Sequence, residues 1–326
     1  MKKLLGILGL FVVVFWFTAW QEPKFLAVFS MQTLMVKIGL FGILGIGAAF
    51  VIITGGIDLS IGSVVGLTGT AITYLLTVKD YSPATAIPIV ILSCSVLGLI
   101  HGLLITKLKL QPFVVTLCGL LIYRGLARFI AGNRSLGFGP YLERFEYYAN
   151  GTIELPGTDY TLPISFLILV LLTAVGSVFL HATVYGRYLL AIGRNEEAAR
   201  YSGIHTDRMK ILAYVLCSTL ASIGGILLAA EASAVQAASF GNFYELYAIA
   251  AAVLGGCSLT GGEGSILGVV LGTGMLRLLF KASNFLEISD ELEFAVVGVV
   301  LLIGAIIDEV AKRIVHRWRQ SRQSSG

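Results

Sequence analysis

Charge is what this chain has least of. Only 13% of its 326 residues are Asp, Glu, Lys or Arg, while 56% are hydrophobic; soluble domains carry about 25% charged residues. So few charges cannot clothe a large core in water, which excludes a single soluble domain. The net charge of +4 is small, and no basic patch is interleaved with aromatics, so nucleic acid is not expected as a partner. Cysteine is also sparse. Cys94, Cys118, Cys217 and Cys257 each lie in an apolar stretch at no metal-ligand spacing, so neither a disulfide nor a metal site is expected. Segments of ten or so residues with alternating hydrophobicity are missing, which argues against a membrane β-barrel. No G-x-x-x-x-G-K-[ST] stretch occurs and no Ser/His/Asp cluster stands out. The chain therefore has no P-loop of its own, and no catalytic residue or cofactor is expected.

What is present is long apolar runs. A spanning helix takes roughly 20 apolar residues, because in lipid each segment must satisfy its own backbone hydrogen bonds. Ten runs qualify, near residues 4–20, 33–54, 61–78, 85–106, 113–130, 162–181, 210–230, 246–259, 265–280 and 293–308. The fold class expected is an all-α integral membrane protein of about ten helices, a single domain over residues 1–326. The opening "MKKLLGILGLFVVVFWFTAW" begins like a signal peptide but lacks a small-x-small cleavage site, and Trp16 and Trp20 suit an interfacial anchor. It is read as a retained first span. With the N-terminus on the cytoplasmic side, 14 of the 23 Lys and Arg fall on that side and 5 fall outside. This bias predicts both termini in the cytoplasm. It predicts a periplasmic loop at 132–160, a cytoplasmic loop at 182–208 and a basic cytoplasmic tail at 309–326.

Two polar inserts interrupt apolar sequence: "GGIDLS" from Gly55 to Ser60, and "GGCSLTGGEGS" from Gly255 to Ser265. Gly55 and Gly56 can end a helix in the left-handed conformation. Asp58 can start the next by accepting N–H groups near Ser60 and Ile61, with Ser60 a second candidate for the cap. Gly255, Gly256 and Glu263 repeat the pattern. The reading places both inserts at the membrane face. It leaves two options for Asp58: a cap alone, or a cap that also serves the transport path or a partner interface. Between these inserts, "RNEEAARYSG" reads as a short helix capped by Asn195 and stopped by Gly203, with Ala198 and Ala199 giving a low surface for a partner.

Other residues carry weaker signals. His101 in "LGLIHGLLI" is either a packed histidine or a proton relay. Arg124 and Arg128 share a helix face and either snorkel, pair, or meet a ligand or docking protein. Glu231 and Glu245 flank "ASAVQAASFGNFY" as outside loop residues, able to receive a basic partner or simply solvated. The aromatics are scattered, and sugar contacts cannot be singled out from them.

Taken together, "GGIDLSIGSVVGLTG", "GRYLLAIGRNEEAARYSGI", "ELYAIAAAVLGGCSLTGGEGSILGVVLG" and the ten-span pattern resemble the membrane permease of bacterial ABC importers for simple sugars. The ribose, galactose and xylose permeases are the group in view, and the resemblance covers nearly the whole chain. It implies a cytoplasmic ATPase docking on an E-A-A-x-x-x-G motif, met here by Glu197, Ala198, Ala199 and Gly203. The usual Leu-Pro continuation is absent. It further implies a periplasmic or lipid-tethered sugar-binding protein, a second permease chain in a homo- or heterodimer, and a bacterial inner-membrane location. The same architecture could import a nucleoside, a branched-chain amino acid or a signalling furanose. A lone ion-coupled transporter is the rival of another class, and the expected position of Asp58 and Glu263 at span ends counts against it.

Overall fold

The computed structural model describes residues 2–154 and 161–286, together with residues 292, 295, 298, 299 and 302. The expected span at 293–308 and the tail at 309–326 therefore lie essentially outside the described residues, as do 155–160 of the long loop.

The apolar runs become helices, and shorter polar helices form in the loops between them: α1 (Lys2–Gln21), α2 (Val28–Ile53), α3 (Ile61–Thr77), α4 (Pro83–Lys107), α5 (Pro112–Ala131), α6 (Leu142–Asn150), α7 (Ile164–Ala182), α8 (Val184–Arg194), α9 (Glu196–Tyr201), α10 (Thr206–Glu231), α11 (Tyr244–Leu254) and α12 (Ile266–Phe285). α4 and α5 each open on a proline, which has no N–H to leave unpaired there. Two small antiparallel pairings join the loops. β1 (Ser135–Gly137) pairs with β4 (Ala234–Gln236) through Leu136 opposite Val235. β2 (Thr152–Glu154) pairs with β3 (Thr161–Pro163) through Ile153 opposite Leu162.

Among the described residues, six helices are long and apolar enough to cross a membrane: α2, α4, α5, α7, α10 and α12. Three shorter apolar helices lie at Gly6–Gln21, Ile61–Thr77 and Tyr244–Leu254. The run expected at 246–259 thus differs from expectation. Its helix α11 has only 11 residues, a rise of about 16 Å, roughly half a hydrocarbon core. It ends at Leu254, before the Gly255-Gly256 pair, and not at 259.

The core is built around α2. Every residue from Ile38 to Ile53 is buried, because α7, α10, α11 and α12 all pack on it. Glycines set how close they come. A Cβ at Gly39 would stand 2.6 Å from the Ser165 backbone of α7, and one at Gly45 would stand 3.0 Å from Val269 of α12. Small residues of this kind let membrane helices gain dispersion contacts where no hydrophobic drive separates protein from lipid. α5 and α7 instead expose most of their apolar surface. The end of α2, the end of α4, the start of α10 and the helices α8 and α9 share one pole; the strands and α6 occupy the other.

Candidate functional site

Both glycine pairs do stop helices, and the geometry is the same. Gly55 has φ +81°; its N–H donates to Ile52 O at 2.9 Å and that of Gly56 to Val51 O at 3.2 Å. At the end of α11, Gly256 has φ +90°; its N–H reaches Val253 O at 2.9 Å, and Cys257 N–H reaches Ala252 O at 2.9 Å. These paired bonds satisfy the last orphan carbonyls of each helix. Gly255 serves differently. Its φ is −67°, and it is required because the Gly268 backbone leaves a Cβ only 2.5 Å.

Asp58 does not lie on the surface of the bundle. It is buried, 2% exposed. Beyond Gly56 the chain turns back into the bundle, and Asp58 comes within electrostatic reach of His101 on α4, Tyr123 on α5, and Tyr214 and Cys217 on α10. His101 and Tyr214 lie six and eight residues in from their helix ends at this pole, roughly 9–12 Å deep. Nor is Asp58 the capping position of α3, which is Ser60. The Asp58 Oδ1 accepts the Ser60 N–H at 2.8 Å and the Ser60 hydroxyl at 2.6 Å. Around it, Tyr214 donates its hydroxyl to Ile57 O at 3.3 Å, and the Tyr123 hydroxyl pairs with His101 Nε2 at 2.7 Å. Glu263, by contrast, is exposed. Its helix is capped by Ser265, whose hydroxyl accepts Gly268 N–H at 3.4 Å. The two inserts match in glycine and differ in what the carboxylate does.

The short helix α9 forms where its acids and cap suggest. Asn195 Oδ1 accepts the Ala198 N–H at 2.9 Å. Gly203, at φ +84°, ends it with bonds from Gly203 N–H to Arg200 O at 3.0 Å and from Ile204 N–H to Ala199 O at 3.1 Å. Ala199 is buried, while Glu197 and Ala198 are exposed. Tyr201, which the motif does not single out, is 92% exposed. Two charged residues, whose partners the sequence reading did not name, fasten the helix. Glu196 pairs with Lys210, and Arg200 reaches Thr206 Oγ1 at 3.1 Å and Asp207 at 3.7 Å. Asp207 in turn pairs with Lys107 at the end of α4, at 2.8 Å. A charge spacing across "EEAARYSGIHTDRMK" was the available signal.

These parts meet. The Gly262 N–H donates to Ile53 O, the last carbonyl of α2, at 2.9 Å. A Cβ on Gly193, two residues before α9's cap, would stand 2.0 Å from Ile53 O and 2.2 Å from Gly262 N. A Cβ on Gly261 would stand 2.8 Å from Gly55 N and 2.9 Å from Gly193 Cα. Both helix breaks and the lead-in to α9 are thus in backbone contact at one joint, closed by glycines.

Toward the other pole, the two loop acids are not free for a partner. Glu231 pairs with Lys37 at 2.8 Å. Glu245 is buried and its carboxylate lies against Gly62 in the first turn of α3. Arg124 lies within electrostatic reach of it and donates to Phe240 O at 2.5 Å and Ala237 O at 3.3 Å. Arg128 bonds Asn133 Oδ1 at 3.1 Å. Burial of Glu245 depends on a loop that folds back into the bundle, which no local pattern announces.

Residues 30–305 match the family described as branched-chain amino acid transport system / permease component. The ribose import permease protein RbsC of Bacillus subtilis (strain 168) is 36% identical over 310 residues, covering 94% of this chain and 93% of that protein. RbsC of Escherichia coli (strain K12) is 32% identical over 310 residues, covering 94% and 92%. The L-arabinose transport system permease protein AraH of Escherichia coli (strain K12) is 35% identical over 314 residues, covering 95% and 92%. No solved structure gives a significant match.

Proposed function

The chain belongs to the branched-chain amino acid transport system / permease component family, and from that premise we propose how its parts serve import. It is the multi-pass permease subunit of an ABC importer, and a simple sugar is its substrate class. Full-length similarity to ribose and L-arabinose permeases is the observation that carries this reading. It is a transport subunit, without a P-loop of its own; ATP is hydrolysed by a separate subunit, and the sugar arrives on a binding protein. The finer assignments are ours: about ten spans, both termini cytoplasmic, the bacterial inner membrane, and a path formed with a second permease chain.

Coupling starts at α9. Glu197, Ala198 and Tyr201 on α9 face the ATPase. When the ATPase closes, α9 moves with α10, to which Glu196 and Arg200 tie it. Gly193 carries the same displacement to Ile53 and Gly262, at the ends of both broken elements. One movement thus reaches α3 and α11 together, which suits an alternation between inward and outward openings.

The test is uptake of labelled D-ribose and L-arabinose into proteoliposomes. The permease reconstituted with its ATPase and binding protein should accumulate one of them on addition of ATP. The permease alone, with proton or sodium gradients, should not. Robust gradient-driven uptake without an ATPase would overturn the reading and favour an ion-coupled carrier using buried Asp58.

A further inference from the structure

The segment between β4 and α11 runs deep. Gly241 presses on the first turns of α3: a Cβ there would stand 2.3 Å from Gly62 O and 3.2 Å from Gly66 N. The other end of α3 lies at the strand pole, where Thr77 touches Gly139. Gly62 is 15 residues from Thr77, so the segment descends about 22 Å below that end. From there α11 descends a further 16 Å or so to Gly255.

Irregular backbone at such depth is tolerated only where protein buries it or water lines it. The two sides of the segment differ. On the inner side Arg124 donates to the Phe240 and Ala237 carbonyls, and the buried Glu245 carboxylate lies against Gly62. On the other side Asn242 and Phe243 are exposed. The Asn242 carboxamide makes no side-chain hydrogen bond to a described residue. Phe243, 50% exposed, holds φ +66°, a conformation a bulky residue rarely keeps. An amide turned to hydrocarbon loses its hydrogen bonds outright. This surface is therefore met by water or by protein and not by lipid.

We propose that Asn242 and Phe243 line the sugar path and set its selectivity. The amide exchanges hydrogen bonds with sugar hydroxyls, and the ring stacks on the apolar C–H face of the pyranose or furanose. Arg124 and Glu245 are positioning residues that hold the segment at depth. This rests on the sugar-permease reading, and the test separates the two.

In a Cys118→Ala background the remaining cysteines are buried. There, Asn242→Cys is treated with a charged, water-soluble methanethiosulfonate reagent and compared with Leu171→Cys, a 63% exposed residue in mid-α7. Only a wetted thiol ionises, so Asn242→Cys should react about tenfold faster or more. In the complete importer, Asn242→Ala should lower maximal D-ribose or L-arabinose uptake per ATP by about tenfold, the weight of one hydrogen bond to substrate, with KM unchanged because the binding protein sets it. Phe243→Leu should fall similarly and Phe243→Tyr should retain transport. Labelling as slow as at Leu171→Cys would overturn the proposal. So would spontaneous Asn242→Cys cross-linking between two chains without labelling, or wild-type uptake per ATP in both Asn242→Ala and Phe243→Leu. A wild-type importer that takes neither sugar counts against the sugar reading alone, and the labelling arm still decides whether the path is here.

Discussion

Gly193→Ala is the most direct probe of how α9, proposed above to face the ATPase, reaches the helix breaks. The new Cβ would sit 2.0 Å from Ile53 O and 2.2 Å from Gly262 N, whereas real Cβ atoms essentially never come under 3.0 Å. Neither obstacle is a flexible side chain; both are backbone. The segments must part by roughly 1 Å in a close-packed joint. That opening lengthens or breaks the 2.9 Å bond between Gly262 N–H and Ile53 O. Overpacking costs about 1–3 kcal/mol and the lost bond about 0.5–1.5 kcal/mol. A local penalty of roughly 2–4 kcal/mol follows. Because α9 itself and its ties to α10 are untouched, the ATPase should still dock and hydrolyse ATP. Uptake per ATP should fall at least about tenfold, since 1.4 kcal/mol of coupling already corresponds to that factor. Gly125→Ala is the control, for its Cβ meets nothing within 4 Å. The assay is ATP hydrolysis and labelled-sugar uptake in the same proteoliposomes, at matched permease content. Gly193→Ala importing at the wild-type ratio would refute the joint as the coupling route.

Asp58→Asn should transport nearly as well as wild type, because its amide oxygen can still accept the Ser60 N–H and hydroxyl. Asp58→Ala, leaving those donors buried and unmet, should cost about 1–3 kcal/mol in thermal unfolding of the detergent-solubilised permease; an Asn variant as defective as Ala would assign the function to the charge. Tyr201→Ala should leave permease stability within about 0.5 kcal/mol, since the ring is 92% exposed, while weakening ATPase association in a pull-down; unchanged association would remove Tyr201 from that surface. For topology, single cysteines at Asn133 and Asn195 in the Cys118→Ala background should label from opposite sides of the membrane. Labelling of both in intact cells by an impermeant reagent would reject the orientation derived from the charge bias.

The helix stops at Gly55, Gly203 and Gly256 were legible because they are local. A glycine after an apolar run, and a left-handed φ there, depend on a few neighbouring residues. So was the Asn195 cap, whose partner is three residues away. The depth of Asp58 was not legible. It is decided by where α4, α5 and α10 lie around the turn, and the same "GGIDLS" would read identically at a membrane surface. Glu245 misled for a related reason. Its polar flank looks like an outside loop until Gly241 is seen to descend against Gly62. The run at 246–259 was drawn past its own glycine stop because Cys257, Ser258 and Leu259 keep the stretch apolar on average, although α11 ends at Leu254.

The wrapping of α2 has a consequence for biogenesis. The helices that enclose it, α7, α10, α11 and α12, are made later, the last ending at Phe285. At roughly 5–20 residues per second, α2 waits about ten to fifty seconds before its enclosure is complete. During that interval lipid is its only solvent. A polar side chain in the middle of this helix would find its partner only at the end of synthesis, and would stall insertion until then. From Ile38 to Ile53 every side chain is apolar or absent, so the helix at the heart of the finished protein is also one that can stand alone in a bilayer. Its one cation, Lys37, sits at the margin of that stretch and meets Glu231 only once α10 has been threaded. The most enclosed of the described helices is thus the one whose chemistry is set by the period before it was enclosed.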